Sequence, residues 1–252
     1  MIEPILQVRR ISKRFGGLAA VDQVSIDVNI GEPHAVIGPN GAGKTTLINI
    51  LSGDLPPSAG SILFGGKDIA HLSPERRSRL GIGRSYQKVN IFAAFSALEN
   101  CRLAAQSRDP HPLNWLRDAR SYEQIITRAR LALEDVGLAN RADAPALALS
   151  HGEQRQLEIA MSLATEPKLL LLDEPLAGLG IEESFKMIEL ISKLVQTHAI
   201  LLVEHDMDAV FQLARVLTVM VNGKVLASGK PAEVRANAEV RRAYLGGFDE
   251  QP

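Results

Sequence analysis

The segment Gly38-Pro39-Asn40-Gly41-Ala42-Gly43-Lys44-Thr45 constrains this chain more than any other. It fits the spacing G-x-x-x-x-G-K-[ST] and stands between a short apolar run, His34–Ile37, and a stretch of helical character, Thr45–Leu51. Glycines at these positions let the backbone curl so that successive N–H groups point at one place, and the following helix adds its positive end there. Such a loop cradles phosphate. Lys44 can reach the β- and γ-phosphates of a nucleoside triphosphate, and the Thr45 hydroxyl suits Mg²⁺. The bland alternative is a glycine-rich turn with a surface lysine, and the strand-to-helix context argues against it.

The rest of the chain supplies the sheet that such a loop needs. The first 30 residues read as β: Val24, Ile26, Val28 and Ile30 alternate with Ser25, Asp27 and Asn29, predicting one buried face. Gly31-Glu32-Pro33 breaks the pattern, and Gly65-Gly66 predicts a small hairpin. From about 71 to 165 the chain reads as mostly helical. Ser73-Pro74 starts one helix, and the capping-box patterns Ser96-Ala97-Leu98-Glu99 and Ser121-Tyr122-Glu123-Gln124 start two more. Asp109-Pro110-His111-Pro112 reads as a loop or linker between them.

Beyond 165, strand and helix alternate through Lys168–Asp173, Glu182–Gln196, Ala199–Glu204 and Asp206–Ala214, and Val216–Val221 and Lys224–Ala227 flank an Asn222-Gly223 turn. Alternation implies a parallel sheet with crossover helices, so the helical middle is expected to interrupt one α/β core.

Composition narrows the class. The 252 residues are 46% hydrophobic with a net charge of −1, which excludes a disordered chain and argues against binding nucleic acid through a basic surface. The single cysteine, Cys101, cannot form an internal disulfide, so a reducing compartment is expected. The opening MIEPILQVRR lacks the apolar core of a secretory signal, and no run approaches the roughly 18 apolar residues of a membrane span.

Two further segments carry chemistry. Leu169-Leu170-Leu171-Leu172-Asp173-Glu174 is an apolar strand ending in two acids, and in a nucleotide-binding α/β sheet the carboxyl ends of strands face the ligand. Asp173 would hold Mg²⁺ beside Thr45, and Glu174 would orient or deprotonate an attacking water. Leu149-Ser150-His151-Gly152-Glu153-Gln154 opens a helix, predicted to run through Leu163, with Ser150 and Glu153 spaced as a capping box. A helix start with a glycine N–H and a serine hydroxyl offers a surface to phosphate.

Together these segments resemble an ATP-binding cassette (ABC) ATPase over nearly the whole chain. The implied fold is α/β: a P-loop NTPase with a RecA-like core, an N-terminal antiparallel β subdomain and a helical insert. As one domain, residues 1–86 and 165–252 would form the core with its β subdomain, and 87–164 the helical part. Phe15 matches the aromatic that stacks on adenine. Gly38, Pro39, Asn40, Gly41, Ala42, Gly43, Lys44, Thr45 and Thr46 match the Walker A loop, and Gln87 matches the Q-loop glutamine. Leu149–Gln154 resembles the LSGGQ signature, Leu169–Glu174 the Walker B strand, and His205 the switch histidine.

The resemblance implies two cassettes paired head to tail, each ATP lying between one Walker A loop and the partner's signature, where Ser150, His151, Gly152 and Glu153 would meet it. Glu174, His205 and Gln87 are the implied catalytic residues, and Thr45, Gln87 and Asp173 the implied holders of Mg²⁺. Two positions depart from the family pattern: His151 stands at a usual glycine, and Gly180 where many cassettes carry an aspartate that couples the two sites.

The segments Arg14–Leu18, Glu174–Leu179, Val203–Met207 and Val240–Gly246 resemble the branched-chain amino acid uptake subfamily, and several also resemble the lipopolysaccharide-export ATPase. This implies an ATPase subunit, identical or paralogous to its partner cassette, on the cytoplasmic face of the plasma membrane. Its partners would be permease subunits and, indirectly, a solute-binding protein. Permease docking is expected between Gln87 and about Ala105, where Val89, Ile91, Phe92 and Phe95 cluster, unless these side chains pack the insert's own core. A non-transport ABC clamp and a P-loop kinase are the rival readings. The 129 residues from Lys44 to Asp173 show no sustained heptads for the first, and the Leu149–Gln154 segment has no role in the second.

Overall fold

The computed structural model describes residues 3–87, 89–108 and 122–245. Two sheets organise it. In the first, β1 (Leu6–Phe15) and β2 (Leu18–Val28) form an antiparallel hairpin around Gly16-Gly17. After β3 (His34–Ile37), the chain adds β4 (Ala59–Phe64) to the free edge of β1 and turns at Gly65-Gly66 into the short β5 (Lys67–Asp68). The buried face carries Val8, Ile11, Val24, Ile26 and Val28. The expected alternation stops at Val28: Ile30 is 49% exposed, because the chain leaves the sheet for a tight turn bridged from Asn29 to Glu32.

The second sheet contains β6 (Ile82–Arg84), β7 (Leu169–Asp173), β8 (Ala199–Val203), β9 (Val216–Val221) and β10 (Lys224–Gly229) as well as β3, in the order β10-β9-β3-β8-β7-β6. All neighbours are parallel except β10 with β9. β3, β7 and β8 are buried at every position, as strands covered on both faces must be. Alternate residues feed separate cores. Ala35, Ile37, Leu170, Leu172, Ile200 and Leu202 face one cluster, and Val36, Leu169, Leu171, Leu201 and Val203 the other.

The second cluster includes α1 (Lys44–Ser52) and the antiparallel sheet. Arg77, in α2 (Pro74–Leu80), is buried and donates to Ile50 O at 2.6 Å and Leu51 O at 2.8 Å, as well as to Ala70 O and Leu72 O. It therefore satisfies carbonyls that the end of α1 leaves open. Burial pushes its guanidinium pKa down to about 10.

The first cluster takes in α3 (Ala97–Gln106), α4 (Glu123–Asp135) and α5 (His151–Leu163), then α6 (Ile181–Leu194), α7 (Met207–Leu213) and α8 (Pro231–Ala236). Ser96 caps α3 through the Glu99 amide at 3.1 Å, the first half of the expected capping box, but the Glu99 carboxylate turns to Arg102 Nε at 2.9 Å rather than back to the Ser96 amide. Ser121 and the Asp109–Pro112 segment lie outside the described residues. The stretch read as helical also contributes β6, an edge strand too short and glycine-interrupted to announce itself.

Candidate functional site

Because β3, β8, β7 and β6 are parallel neighbours, their carboxyl ends share one edge. Four separate stretches of sequence meet there: the glycine loop after β3, Glu204-His205 after β8, Asp173-Glu174 at the end of β7, and Ser85 to Gln87 after β6.

The glycine loop is tightly seated. Gly38 (φ +157) and Gly43 (φ +98) have no room for a side chain: a Cβ would lie 2.2 Å from Met220 O and 2.3 Å from Ala20 O, respectively. The Gly223 amide donates to Ala42 O at 3.0 Å, so the β9–β10 turn braces the loop. Lys44 Nζ folds back to donate to Gly38 O at 2.6 Å and Pro39 O at 3.1 Å. Burial lowers the Lys44 pKa, against the raising influence of Glu174 and Asp173. α1 begins at Gly43 with no side-chain cap, so its first amides stay available as anion donors.

Asp173 is 2% exposed. Burial raises its pKa, and the charge of Arg84, whose Nη2 lies 3.4 Å from Oδ2, opposes the shift. Arg84 also pairs with Asp54 and donates to Ser52 Oγ at 2.8 Å and Asn49 Oδ1 at 2.6 Å, tying the Asp173 carboxylate to the end of α1. Glu174 has left-handed backbone (φ +49), held by its amide donating to Val203 O at 2.9 Å. Strain of this kind persists only where neighbours enforce it, and here it turns the carboxylate out of the sheet edge.

Gln87 Nε2 donates to Glu174 Oε2 at 3.1 Å, and His205 Nδ1 lies 3.8 Å from Glu174 Oε1. The fully buried Glu204 accepts from the Leu176 amide at 2.9 Å and the His205 amide at 3.1 Å. It fixes both the segment after Glu174 and the histidine. Burial raises its pKa against these bonds.

α5 starts as its sequence predicts. Ser150 Oγ accepts from the Glu153 amide at 3.2 Å, and Glu153 Oε2 accepts from the Ser150 amide at 2.8 Å. Further along, Arg155 donates to Tyr86 O at 2.7 Å and to Gln87 O, while Glu158 accepts from the Tyr86 amide at 2.8 Å. The helix that begins at Ser150 therefore pins the backbone carrying Gln87.

Comparison with known proteins decides the family. The ABC transporter family model matches residues 21–177, more than half of the chain. The chain belongs to the ABC transporter family. A second model, "Branched-chain amino acid ATP-binding cassette transporter", matches residues 224–250. The cassette is 39% identical over 253 residues to LivG of Salmonella typhimurium, a high-affinity branched-chain amino acid transport ATP-binding protein, covering 98% of this chain and 99% of that one. BraF of Pseudomonas aeruginosa, described in the same words, is 40% identical over 255 residues, with 98% and 99% covered. The lipopolysaccharide export protein LptB of Escherichia coli is 33% identical over 242 residues, with 96% and 97% covered. Among solved structures, the ADP conformation of an ABC transporter cassette superposes with a TM-score of 0.86 at 31% identity, covering 97% of this chain and all of that one. This cassette is accordingly an ATPase of α/β fold that binds nucleotide.

Within the cassette, Lys44, Asp173, Glu174, Gln87 and His205 gather at one edge. Phe15 lies apart at the tip of the β1–β2 hairpin, 48% exposed, with Lys13 Nζ over one face of its ring at 5.3 Å from the centre. Ser150, His151, Gly152 and Glu153 form their own surface at the start of α5. The cluster expected to dock divides: Ile91 packs on the core, whereas Phe92 and Phe95 are about half exposed and stacked with ring centres 5.6 Å apart. Sequence reasoning missed Arg84 and Glu204. An arginine in a three-residue strand and an acid at a strand end carry no local mark of the long-range partners that define them.

Proposed function

We propose that this cassette is the ATP-hydrolysing subunit of a membrane importer for branched-chain amino acids or related small amides and acids. One observation carries the site: four parallel strand ends bring the phosphate loop, Asp173-Glu174, Gln87 and His205 together. The match of residues 224–250 favours amino acid uptake over lipopolysaccharide export. Attachment to permease subunits would hold it peripherally at the cytoplasmic face; among the described residues no helix is long and apolar enough to cross a membrane.

The loop Gly38–Gly43 grips the triphosphate through the amides of Gly38, Asn40, Gly41 and Gly43, while Pro39, which has no N–H, shapes the turn and accepts from the Ala42 amide at 3.1 Å; Lys44 swings from its carbonyl partners to the β- and γ-oxygens, and Thr46 continues the cradle. Phe15 stacks on the adenine. Thr45, Gln87 and Asp173 would hold Mg²⁺ through their side-chain oxygens. That ion, when bound, neutralises phosphate charge.

Glu174 accepts the proton of the attacking water at its carboxylate, while Gln87 and His205 orient that carboxylate and the γ-phosphate side of the site. A second cassette, identical or paralogous, closes over the nucleotide with its Ser150, His151, Gly152 and Glu153. One domain spans residues 1–252, with core segments 1–86 and 165–252 and a helical part at 87–164. Permease subunits dock beside Phe92 and Phe95, next to a groove of about 560 Å³ lined by Arg84, Tyr86, Asn90, Ala104, Arg108 and Met161. A solute-binding protein acts through them.

Glu174→Gln tests the reading: ATP binding persists, turnover falls by at least about a hundredfold, the scale of a lost general base, and an ATP-dependent dimer accumulates in light scattering. A protein that stays monomeric with ATP refutes the shared site.

A further inference from the structure

The helix start at Ser150 already has a carboxylate of its own. Glu153 closes the capping box with Ser150, which satisfies the Ser150 and Glu153 amides. A second carboxylate nevertheless sits on it. Glu183, in the first turn of α6, accepts from Ser150 Oγ at 3.1 Å and from the Gly152 amide at 3.2 Å through Oε1, and from the Gly180 amide at 3.3 Å through Oε2. The fit depends on Gly152, since a Cβ there would lie 2.7 Å from Glu183 Cδ and Oε1.

The two departures from the family pattern border this contact. Gly180 supplies one of the three donors. His151 lies against Gly178, where an added Cβ would be 3.2 Å from Nε2. The Gly180 amide first, then the Ser150 hydroxyl, hold the Glu183 carboxyl below the usual carboxylate range, so it is an anion at neutral pH.

Resting on the shared-site reading, we propose that Glu183 is a built-in anion occupying the donors of Ser150 and Gly152 that the partner's nucleotide needs. It thereby links the segment around Gly180 to the signature helix and raises the ATP concentration at which two cassettes close. A γ-phosphate arriving at Ser150 and Gly152 meets a carboxylate already hydrogen-bonded there and must displace it against like-charge repulsion. The displaced side chain has somewhere to go: Lys186, one turn along α6, lines the same cavity of about 240 Å³ and offers a cation at i+3. Release of Glu183 also frees the Gly180 amide, so occupation of the signature and movement of the segment after Glu174 happen together.

The test uses the full chain carrying Glu174→Gln, with Glu183→Gln and Glu183→Ala added separately, and light scattering read against ATP concentration. Both additions lower the half-point for dimer formation by about threefold to tenfold, the effect of removing one competing charged hydrogen-bond acceptor from a solvated site. Binding of ADP to the monomer, which uses only the phosphate loop in cis, stays unchanged. Amide hydrogen exchange at Gly152 quickens in both, a readout that mere retention of the fold would not move. Glu183→Gln keeps the size of the side chain, so it reports even where Glu183→Ala loses the helix start. An unchanged or raised half-point in a folded protein with normal ADP binding overturns the proposal alone. A parent Glu174→Gln protein that never dimerises overturns the shared-site reading, and this proposal falls with it.

Discussion

Replacing Arg84 by methionine removes the cation on which the nucleotide side of the site leans. The side chain is 9% exposed and holds Asp54, Ser52, Asn49 and Asp173 at once. Asp173 is more deeply buried still, with 3% of its side chain exposed, whereas Asp54 keeps 34% and can be rehydrated. Breaking a fully buried pair costs about 3–5 kcal/mol, and the partial exposure of Asp54 brings the expected loss to about 2–4 kcal/mol. For a chain of this size that is a fall in melting temperature of roughly 5–15 °C.

The loss has a defined pH dependence. Burial raises the Asp173 pKa and Arg84 restrains the rise, so removing Arg84 raises it further. A carboxyl with a folded pKa above its unfolded value holds its proton more tightly when folded. Stability therefore falls as pH climbs from the ordinary carboxylate range through the folded value. The penalty in Arg84→Met is largest at neutral pH and shrinks in acid as Asp173 takes up a proton. Urea unfolding at pH 7.5 and pH 5.5 measures this, urea being preferable to guanidinium because it does not screen charge. A loss below about 1 kcal/mol at neutral pH, or one that grows in acid, refutes the assignment of Arg84 as the counter-charge of Asp173.

Three other outcomes follow from the same geometry. Lys44→Ala abolishes ATP binding in a fluorescence titration, and unchanged affinity would contradict the loop assignment. Arg77→Met removes the guanidinium donor from four carbonyls at the end of α1 and beside α2, of which Ile50 O keeps only the Gly53 amide at 3.3 Å, and urea unfolding records a loss of about 3 kcal/mol. Phe92→Asp and Phe95→Asp uncouple transport in vesicles containing the permease while basal ATPase persists. Because both rings are about half exposed, circular dichroism stays unchanged, and loss of the fold would instead mean that they pack the core.

The parts of this molecule legible in its sequence are those whose causes are local. The glycine loop, the all-apolar strands at Leu169–Leu172 and Ala199–Val203, the N-cap at Ser96 and the capping box at Ser150 each carry their mark in residue types spaced within a few positions, whatever distant partners the fold then gives them. Spacing alone reveals them. Local pattern failed at Ile30, where the period-2 rule carries no notice that the chain leaves the sheet. It failed again at β6, where three residues become a strand only because β7 offers Leu169 to Leu171 as partners.

The missed site residues share one physical character. Arg84 draws partners from positions 49, 52, 54 and 173, Glu204 from 176 and 205, and Glu183 from 150, 152 and 180. Each is a charged side chain whose role is to hold another segment's polar groups. On a helix or at a strand end it looks like any solvated charge until the sheet order brings its partners near. The reacting groups can be read from spacing because their chemistry fixes which residue types stand next to one another. The residues that hold them can be read only from topology: the same positioning of Asp173 could be supplied by a cation on any strand adjacent to β7, and here β6 supplies it.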